Sequence, residues 1–447
     1  MRLKQVTLNN YRCFQHLEVN LHPRLTVFVG ENGAGKTAIL DGIAAVLTPV
    51  LSQLSSANQR LSGPGIKDSD FRAEPWTDRT GRERWGVADF SQVIAEADDG
   101  LKWDYWKPSA AGKEPPEKFG QADLKHRLQR VIDSYRSSAP ELTPVLAYYG
   151  AQRGYIKVPE RLRGAKQAYD HPASALIGAL DARSDFREML DWFDVEEAAE
   201  LRANKGIASS AFQESRALAA VRASIVGLLG GAFHNPYFNK DHKFVLEREK
   251  GGAPLLVSQL SQGYQSMLAL AMDFSRRLAI ANGHLPNAEQ TGQLAPAMRA
   301  PGIMLVDEID LHLHPSWQQR VLDDLMRSFP ETQFIVTTHS PQVLTAVPSE
   351  CIRILREGAA YAAPAGTEGA EPGRVLKTVL GLKQTRPPGN EATHELLEYL
   401  ALVDQDRWQS PRALELRQRL DKRYQGNEPE LLEADLRIEN RKWELSA

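Results

Sequence analysis

The sequence predicts an α/β fold built around a phosphate-binding loop. Three segments carry this prediction: the apolar LTVFVG (25–30) runs into the glycine-rich GENGAGKT (30–37), GIMLVDE (302–308) ends in an acidic pair, and TQFIVTTHS (332–340) contains a histidine after an apolar run. Short apolar segments between helical stretches are typical of buried parallel strands. The pattern therefore favours a mixed or parallel central sheet with helices on its faces.

Composition limits the class of protein. The chain has 447 residues, 42% of them hydrophobic and 25% charged, with a formal net charge of −3. These values are typical of a globular protein with two or three units that each bury a core. A net charge near zero excludes binding of nucleic acid through overall charge, so any DNA contact would be a local patch.

Cysteines and hydropathy exclude further classes. Cys13 and Cys351 are the two cysteines, and neither lies in a Cys/His cluster, so we expect no zinc site and no disulfide framework. The N-terminal segment alternates polar and apolar residues and lacks the apolar core of a signal peptide. No run approaches the roughly 20 apolar residues that a membrane helix needs. We expect a cytoplasmic protein with no membrane partner.

The first elements follow from periodicity and from turn residues. Residues 2–9 and 25–30 are predicted strands, and a helix follows the glycine loop over 38–51. The polar stretch 55–84 is predicted as a loop. Two strands around an Asp-Asp-Gly turn are predicted within 84–106, which makes this segment a hairpin.

The later elements repeat a strand–helix rhythm that indicates a sheet with crossover helices. Helices are predicted over 122–136, across much of 172–230, over 265–280 and over 315–328, and strands over 144–150, 242–249, 254–260, 302–308 and 332–340. About eighty polar and mostly helical residues follow residue 366. Four regions are predicted: a first lobe that contains the glycine loop (1–155), a helical insertion (156–235), a second lobe that contains the acidic pair and the histidine (236–366) and a helical C-terminal tail (367–447).

The glycine loop matches G-x-x-x-x-G-K-[ST] between a strand and a helix. Glycines let backbone N–H groups approach phosphate oxygens, and the positive end of the next helix adds to the field. Lys36 is expected to reach the β- and γ-phosphates of ATP, and Thr37 to ligate Mg²⁺. The predicted nucleotide-binding residues of this segment are Gly30, Glu31, Asn32, Gly33, Ala34, Gly35, Lys36, Thr37 and Ala38.

Acidic and imidazole side chains follow two other strands. Ligands of an open α/β sheet lie at the carboxyl ends of its strands. Asp307 is therefore expected to hold Mg²⁺, directly or through water, and Glu308 to orient or deprotonate the attacking water. His339 is expected to hydrogen-bond the γ-phosphate and to report its presence.

These motifs together resemble the ABC-type ATPase heads of the SMC, RecF and OLD proteins. The N-terminal strand with NYRCF, GENGAGKT, the signature LSQGYQ, VDEIDLHLHP and TTHS occur in the order of that group, over residues 1–350. The resemblance implies an ABC-ATPase-like P-loop fold with an N-terminal antiparallel sheet and an inserted helical subdomain. It also implies a homodimer or higher homo-oligomer that clamps ATP and Mg²⁺ between two heads.

In this group the signature of one head covers the nucleotide held by the other. The resemblance implies that Ser261 bonds the γ-phosphate, that Gly263 brings backbone N–H groups close, and that the helix from Gln265 aims its positive end at the site. Gln262 to Tyr264 depart from the usual LSGGQ. Ser261 is also a suitable N-cap for the apolar helix that follows, and the two roles are compatible.

Other positions match the group less closely. Asn32 resembles the loop asparagine near the γ-phosphate, and Gln152 the Q-loop glutamine that senses Mg²⁺ and water, with a polar loop residue as the alternative. Arg12 either contacts nucleotide or is a surface residue. His312 and His314 are spaced as a metal pair would be, but no acidic third ligand is near, which favours packing or interface roles.

Three branches of this group are open. An OLD-type nuclease would add a Toprim domain, and ILREG (354–358) and DQD (404–406) contain its residue types, but the expected spacing of carboxylates is absent. A RecF-like DNA-repair ATPase is the second branch, and the lack of long heptads excludes the SMC form. The third is the ATPases of bacterial defence islands, such as Septu PtuA and retron-associated ATPases.

The third branch is the one we favour. PVLAYYGAQRGY, the short helical insert, DEIDLHLHPSWQQ and the tail segment RPPGNE resemble that group. The resemblance implies an ATPase without nuclease activity of its own, acting with a separate HNH-type nuclease and with DNA or a retron RNA–DNA as a further partner. A scaffold that binds ATP but barely hydrolyses it is an alternative of another class, and the intact Asp307, Glu308 and His339 argue against it.

Two segments outside the motifs suggest contacts. The basic stretch 153–166 would suit either a nucleic-acid backbone or a solvated helix face. The tail from about Arg374 carries apolar residues at helical spacing and is predicted to dock a partner or to pack on its own head. These residues are Leu414, Leu416, Leu420, Tyr424, Leu431, Leu432, Leu436 and Trp443.

Overall fold

The computed structural model describes residues 1–56, 59–77, 80–110, 112–138, 140–153, 171–182, 187–208, 211–285 and 296–446. Nearly all of the basic stretch predicted at 153–166 lies outside these residues. The described chain divides into two compact units, residues 1–375 and 376–447.

The strands of the described chain all lie in the first unit. They are β1 (Leu3–Tyr11), β2 (Phe14–Asn20), β3 (Leu25–Gly30), β4 (Ala73–Thr77), β5 (Glu83–Val87), β6 (Phe90–Ala97), β7 (Lys102–Pro108), β8 (Val145–Tyr149), β9 (Phe233–Phe238), β10 (Phe244–Arg248), β11 (Leu255–Leu256), β12 (Gly302–Val306), β13 (Thr332–Thr337), β14 (Ile352–Arg356) and β15 (Ala359–Ala362).

The helices are distributed over both units. They are α1 (Lys36–Gln53), α2 (Ala122–Ser134), α3 (Arg187–Ala203), α4 (Arg216–Leu228), α5 (Gln262–Ala281), α6 (Pro315–Gln318), α7 (Val321–Ser328), α8 (Pro341–Thr345), α9 (Pro372–Thr378), α10 (Glu391–Asp404), α11 (Pro411–Tyr424) and α12 (Pro429–Ser446). No helix of the described residues combines the length and the apolar character that crossing a membrane requires.

A six-stranded mixed sheet forms the centre of the first unit. Its order is β15-β14-β3-β13-β12-β8, and all neighbours are parallel except β14 and β15. A separate antiparallel sheet has the order β2-β1-β6-β7. The predicted α/β class, with a mixed central sheet, an N-terminal antiparallel sheet and a helical C-terminal part, is confirmed.

Helix α1 lies at the centre of an extensive apolar core of the first unit. Fourteen of its residues are buried, and they pack with residues of β1, β6, β7 and α2. A helix that is apolar on most of its circumference needs a covered position on most sides. Because β3 leads directly into α1, the burial of this helix also fixes the glycine loop that joins them.

Four predicted elements differ from the structure. The predicted strand 254–260 is reduced to the two residues of β11, and Val257–Gln259 form a 3₁₀ turn. The predicted loop 55–84 contains β4 and leads into β5, which pair as an exposed two-stranded ribbon. The predicted helix 315–328 is divided into α6 and α7 at Arg320, whose φ of −121° leaves the helical region. Strand β9 begins at Phe233, within the region predicted to be helical.

The segment ILREG is part of the central sheet. Residues Ile352–Arg356 form β14 beside β3, and Glu357 and Gly358, with φ of 49° and 76°, form the two-residue turn into β15. Positive φ at both central positions is the geometry of a type I′ hairpin turn. Glu357 is thus a turn residue, which gives no support to the Toprim alternative.

The second unit has its own apolar core. Leu396, Tyr399 and Val403 of α10 pack with residues of α11 and α12. Leu416, Leu420 and Leu431, predicted as part of a docking surface, are buried in this core. Leu414, Leu432, Leu436 and Trp443 are exposed by 54%, 54%, 61% and 73%.

Candidate nucleotide-binding site

The glycine loop joins β3 to α1. Gly33 and Gly35 have φ of 84° and 95°, in the left-handed region that glycine adopts without strain. A Cβ atom on Gly35 would lie 2.3 Å from the ring of Phe14 and 2.7 Å from Cys13 Sγ. Position 35 therefore requires glycine both for its backbone angle and for its packing against the start of β2.

The amino group of Lys36 binds carbonyl groups of its own loop. Its Nζ donates to the carbonyl oxygens of Gly30, at 2.9 Å, and Glu31, at 3.0 Å. Burial lowers the pKa of Lys36, and nearby carboxylates, Asp307 foremost, oppose this effect. The amino group is therefore fixed at the glycine loop and next to the acidic end of β12.

The rest of the loop presents backbone and small side chains. Glu31, Asn32 and Gly33 are exposed, whereas Ala38 is buried against the core. The N–H of Ala34 donates to the carbonyl oxygen of Glu31 at 3.2 Å, which closes a turn. The loop thus has the open, turn-rich backbone that the predicted phosphate contacts require.

Asp307 follows β12 and accepts hydrogen bonds from two hydroxyl groups. Thr37 Oγ1 donates to Asp307 Oδ2 at 2.8 Å, and Thr337 Oγ1 donates to Asp307 Oδ1 at 2.6 Å. The carboxylate is only 4% exposed. Strands β3, β13 and β12 are parallel neighbours, so residues separated by 270 positions in sequence meet at one edge of the sheet.

Glu308 has an unusual backbone conformation. Its φ is 50°, a region that costs a non-glycine residue free energy and that surrounding contacts must enforce. Its N–H donates to Thr337 Oγ1 at 2.8 Å, and its side chain is half-buried. Thr337 therefore holds the side chain of Asp307 and the backbone of Glu308.

His339 lies at the same edge of the sheet. Its N–H donates to Asp310 Oδ1 at 3.4 Å, and Thr338 Oγ1 donates to the same oxygen at 2.6 Å. The imidazole is half-buried. Asp310 therefore links the segment after β13 to the segment after Glu308, and this link places His339 beside the acidic residues.

Two neighbouring residues of the turn after Gly150, Gln152 and Arg153, have opposite environments. Gln152 is exposed, while Arg153 is 3% exposed. Arg153 donates to the carbonyl oxygens of Asp307 and Glu308. From the sequence, Gln152 was predicted in the site and Arg153 only as part of a basic stretch. No sequence motif distinguishes a buried arginine that binds backbone carbonyl groups from an arginine exposed to solvent.

The signature segment has an exposed start and a packed centre. Ser261 is the N-cap of α5, where its Oγ accepts a hydrogen bond from the N–H of Tyr264 at 3.5 Å. Ser261 and Gln262 are exposed, whereas Gly263 is buried. Gln265 Nε2 donates to the carbonyl oxygen of Leu260 at 2.8 Å. The expected capping role is present, and the exposed pair is available to a second molecule.

The two histidines after the acidic pair have separate local roles. His312 has a φ of 63°, and its carbonyl oxygen faces Gly263. His314 is the N-cap of α6, and its Nδ1 accepts from the N–H of Ser316 at 3.3 Å. No group of three or more metal-ligating side chains occurs among the described residues. Both histidines are exposed, so His314 acts locally as a helix cap, and the expected packing or interface roles stay predictions.

Arg12 forms two ion pairs. Its Nη1 lies 2.6 Å from Asp41 Oδ2 and its Nε lies 2.9 Å from Asp70 Oδ1. Burial lowers the pKa of Arg12, but Tyr11, Asp41 and Asp70 outweigh burial and raise it. Arg12 also lines a cavity of about 720 Å³, so it is a part-buried and anchored residue rather than a free surface arginine.

The residues at the edge of the sheet fit Mg²⁺. The ion prefers hard oxygen ligands and commonly binds through one or two protein groups and substrate phosphates. Thr37 Oγ1 and Asp307 Oδ2 provide a hydroxyl and a carboxylate oxygen 2.8 Å apart, next to the glycine loop. Gln152, the third predicted ligand, is exposed at the end of the neighbouring strand β8.

Comparison with known proteins gives relatives over most of the chain. A family model described as "AAA domain, putative AbiEii toxin, Type IV TA system" matches residues 25–345. "Retron Ec83 probable ATPase" of Escherichia coli is 29% identical, over 99% of this chain and 88% of that protein. "Retron Vc95 probable ATPase" of Vibrio cholerae is 26% identical, over 80% of this chain and 74% of that protein.

"Septu protein PtuA" of Bacillus mycoides is similar over a shorter region. It is 36% identical over 23% of this chain and 12% of that protein. These relatives confirm the predicted resemblance to ATPases of defence islands. Because the family model covers well over half of the sequence, the chain belongs to this family of AAA-domain proteins.

Proposed function

We propose that this chain binds ATP with Mg²⁺ and hydrolyses it to ADP and phosphate at sites shared between two copies. One observation carries the proposal: the hydroxyl of Thr37, at the end of the glycine loop, bonds the carboxylate of Asp307, at the end of β12, at 2.8 Å. The loop that suits phosphate and the carboxylate that suits a divalent cation thus meet at one place.

Each side chain at this site has its own proposed role. Lys36 exchanges its loop carbonyl partners for β- and γ-phosphate oxygens, since charge-assisted hydrogen bonds to phosphate are stronger. Thr37 and Asp307 hold Mg²⁺, which neutralises charge on the phosphates when bound. Glu308 accepts the proton of the attacking water or orients that water, and His339 hydrogen-bonds the γ-phosphate.

The signature segment acts on the nucleotide of the second copy. Exposure of Ser261 and Gln262 at the N-terminus of α5 supports this role, because the first N–H groups and the positive end of a helix attract phosphate. The second copy is bound with its glycine loop facing these residues. ATP is then enclosed between two heads, and the dimer is of the head-to-head type.

The direct test measures ATP binding and phosphate release by the purified chain. Wild type is expected to bind ATP and to release phosphate in the presence of Mg²⁺. Lys36→Ala is expected to lose most binding, because a charge on the phosphates is removed. Lys113→Ala, at an exposed position, is the matched control and is expected to bind normally. Normal ATP affinity in Lys36→Ala would contradict the proposal.

The biological role follows from the relatives. Similarity to two retron ATPases and to Septu PtuA supports a part in anti-phage defence, with this chain restraining or releasing a separate effector nuclease of HNH type according to nucleotide state. DNA or a retron RNA–DNA is a candidate further partner. The chain itself contributes ATP chemistry rather than nuclease chemistry.

The C-terminal unit is the proposed docking element. Its own core accounts for Leu416, Leu420 and Leu431, which leaves Leu432 and Leu436 exposed on α12. The test removes residues 379–447 and repeats a pull-down with the proteins encoded by neighbouring genes. The shortened chain is expected to retain ATP binding and to lose the partner. Partner binding by a folded, shortened chain would exclude the tail as the docking element.

A test in cells addresses the defence role. Bacteria carrying this gene with its neighbours are challenged with phage, and plaque counts are compared with those of bacteria carrying Lys36→Ala. Protection by wild type and its loss in the variant are expected. Equal protection by both would show that defence does not depend on nucleotide binding at Lys36.

A further inference from the structure

Arg153 occupies a buried position behind the acidic end of β12. Its Nη1 donates to the carbonyl oxygens of Gly150, at 3.2 Å, and Asp307, and its Nη2 donates to the carbonyl oxygen of Glu308 at 2.7 Å. The side chain is 3% exposed. The guanidinium therefore connects the end of β8 to the two acidic residues that follow β12.

This position is costly for a cation. Among the described residues, the partners of the guanidinium are backbone carbonyl groups, and its buried Nε has no hydrogen-bond partner. Burial lowers the pKa of Arg153 to about 10, although Asp307, Asp310 and Glu308 oppose this effect. A buried charge with incomplete partners destabilises a fold, so its presence here calls for a role that packing does not provide.

The bonds of Arg153 act on the strained part of the site. Glu308 has a φ of 50°, and two of the three carbonyl groups that Arg153 binds are those of Asp307, the residue before this torsion, and of Glu308 itself. Thr337 holds the N–H of Glu308 from the other side. Such a conformation persists where surrounding contacts enforce it. The bonds from Arg153 and Thr337 contribute to it, together with backbone bonds from the N–H of Leu311 to the carbonyl oxygen of Glu308 at 3.0 Å and from the N–H of Ile309 to that of Thr337 at 2.9 Å.

The strand before Arg153, β8, is itself anchored, and Arg153 lies in the 3₁₀ turn that follows it. The hydroxyl of Tyr149 donates to Asp273 Oδ2 at 2.9 Å, and Asp273 also pairs with Arg276 and Arg277 of α5. The N–H of Asp307 donates to the carbonyl oxygen of Tyr149 at 2.9 Å. Arg153 therefore lies in a turn that follows an anchored strand.

We propose that Arg153 is a positioning residue for ATP hydrolysis, which holds the backbone of Glu308 in the left-handed conformation that directs its carboxylate at the attacking water. The proposal rests on the proposed function, in which Glu308 acts on that water. Arg153 acts through Glu308, so its loss is expected to impair the chemical step and to leave ATP binding nearly unchanged.

The test is a double-mutant cycle of Arg153→Met and Glu308→Gln, read as kcat and KM for ATP with single-turnover measurements for the slow variants. Arg153→Met is expected to lower kcat about 10²-fold, since misplacement of a catalytic group by about 1 Å costs that much. KM for ATP is expected to change less than about threefold, because uniform binding is retained. In the Glu308→Gln background, Arg153→Met is expected to cost less than about twofold more.

Arg24 provides a matched control. Its guanidinium also donates to backbone carbonyls, among them those of Thr332 and Met326, but it lies at the opposite end of the sheet, before β3. Arg24→Met therefore removes a comparable carbonyl-binding arginine away from the site. Its kcat is expected to stay within about twofold of wild type once the fraction of folded protein is measured.

Three results would overturn the proposal. The first is an unchanged kcat in Arg153→Met, and the second is an equal fall of kcat in Arg24→Met. The third is a kcat of the double variant that is lowered by the full product of the factors measured for Arg153→Met and Glu308→Gln. If Arg153→Met fails to fold, Arg153→Lys takes its place. Its single ammonium cannot replace the planar guanidinium fork, and about a tenfold fall in kcat is expected. Absence of ATP turnover in wild type would instead reject the proposed function itself.

Discussion

Gly263 of the signature segment packs directly against the carbonyl oxygen of His312. A Cβ atom at position 263 would lie 2.6 Å from that oxygen, closer than a carbon and a backbone oxygen approach without displacement. The signature segment therefore contacts the loop after the acidic pair of its own chain, while Ser261 and Gln262 remain exposed. Packing within one chain therefore requires glycine at position 263, independently of any second molecule.

Gly263→Ala is expected to destabilise the first unit. The clash is with backbone, which cannot rotate away, and overpacking of this kind costs about 1–3 kcal/mol. Thermal unfolding measures the change. Gly373→Ala is the matched control, because position 373 is also helical and has no atom within 4 Å of an added Cβ. Equal melting temperatures for the two variants would show that the loop after Glu308 moves away freely.

The tail core gives a second stability test with matched leucines. Leu416 is 0% exposed and Leu414 is 54% exposed on the same helix. Leu416→Ala is expected to cost about 2–5 kcal/mol through lost burial and a cavity. Leu414→Ala is expected to change stability by no more than about 0.5 kcal/mol. Unfolding of a fragment spanning 376–447 provides the readout, and reversal of this order would place the core elsewhere.

The composite site can be tested by mixing two inactive variants. Ser261→Arg damages the signature and is expected to keep ATP binding to its own glycine loop, because Ser261 is exposed. Lys36→Ala damages the glycine loop and retains a normal signature. A dimer of one copy of each has one intact site and one site damaged twice. If a single site suffices, an equal mixture is expected to recover roughly a quarter of wild-type turnover.

The control for the mixing experiment is each variant alone, at the same total concentration. Both are expected to stay inactive. Loss of ATP binding by Ser261→Arg as a monomer would show that the signature serves the nucleotide of its own chain. Mixed dimers that form but remain inactive would contradict independent sites.

The fold and the site differ in how far sequence could predict them. The buried strands β3, β12 and β13 are continuous apolar runs, and each agrees with its prediction within a few residues. The ribbon of β4 and β5 was missed because both of its faces are exposed. Exposure on both faces removes the alternation of polar and apolar residues from which strands are recognised.

The site residues also divide into those that the sequence could predict and those that it could not. Lys36, Thr37 and Asp307 lie in motifs with fixed spacing, and the structure brings them together. Arg153 has no such signal, because its function is set by contacts with residues more than 150 positions away. Local sequence could place it after a strand but could not indicate that it turns inward.

Glu308→Gln provides the most direct test of the account, by ATP turnover and by molar mass in solution with ATP and Mg²⁺. The variant is expected to bind ATP like wild type and to hydrolyse it about 10²–10⁴-fold more slowly, which is the usual contribution of a general base. It is expected to accumulate as an ATP-dependent dimer, because enclosed ATP is not consumed. Near-normal turnover, or a variant that stays monomeric with saturating ATP, would contradict the central claim that Glu308 drives hydrolysis between two heads.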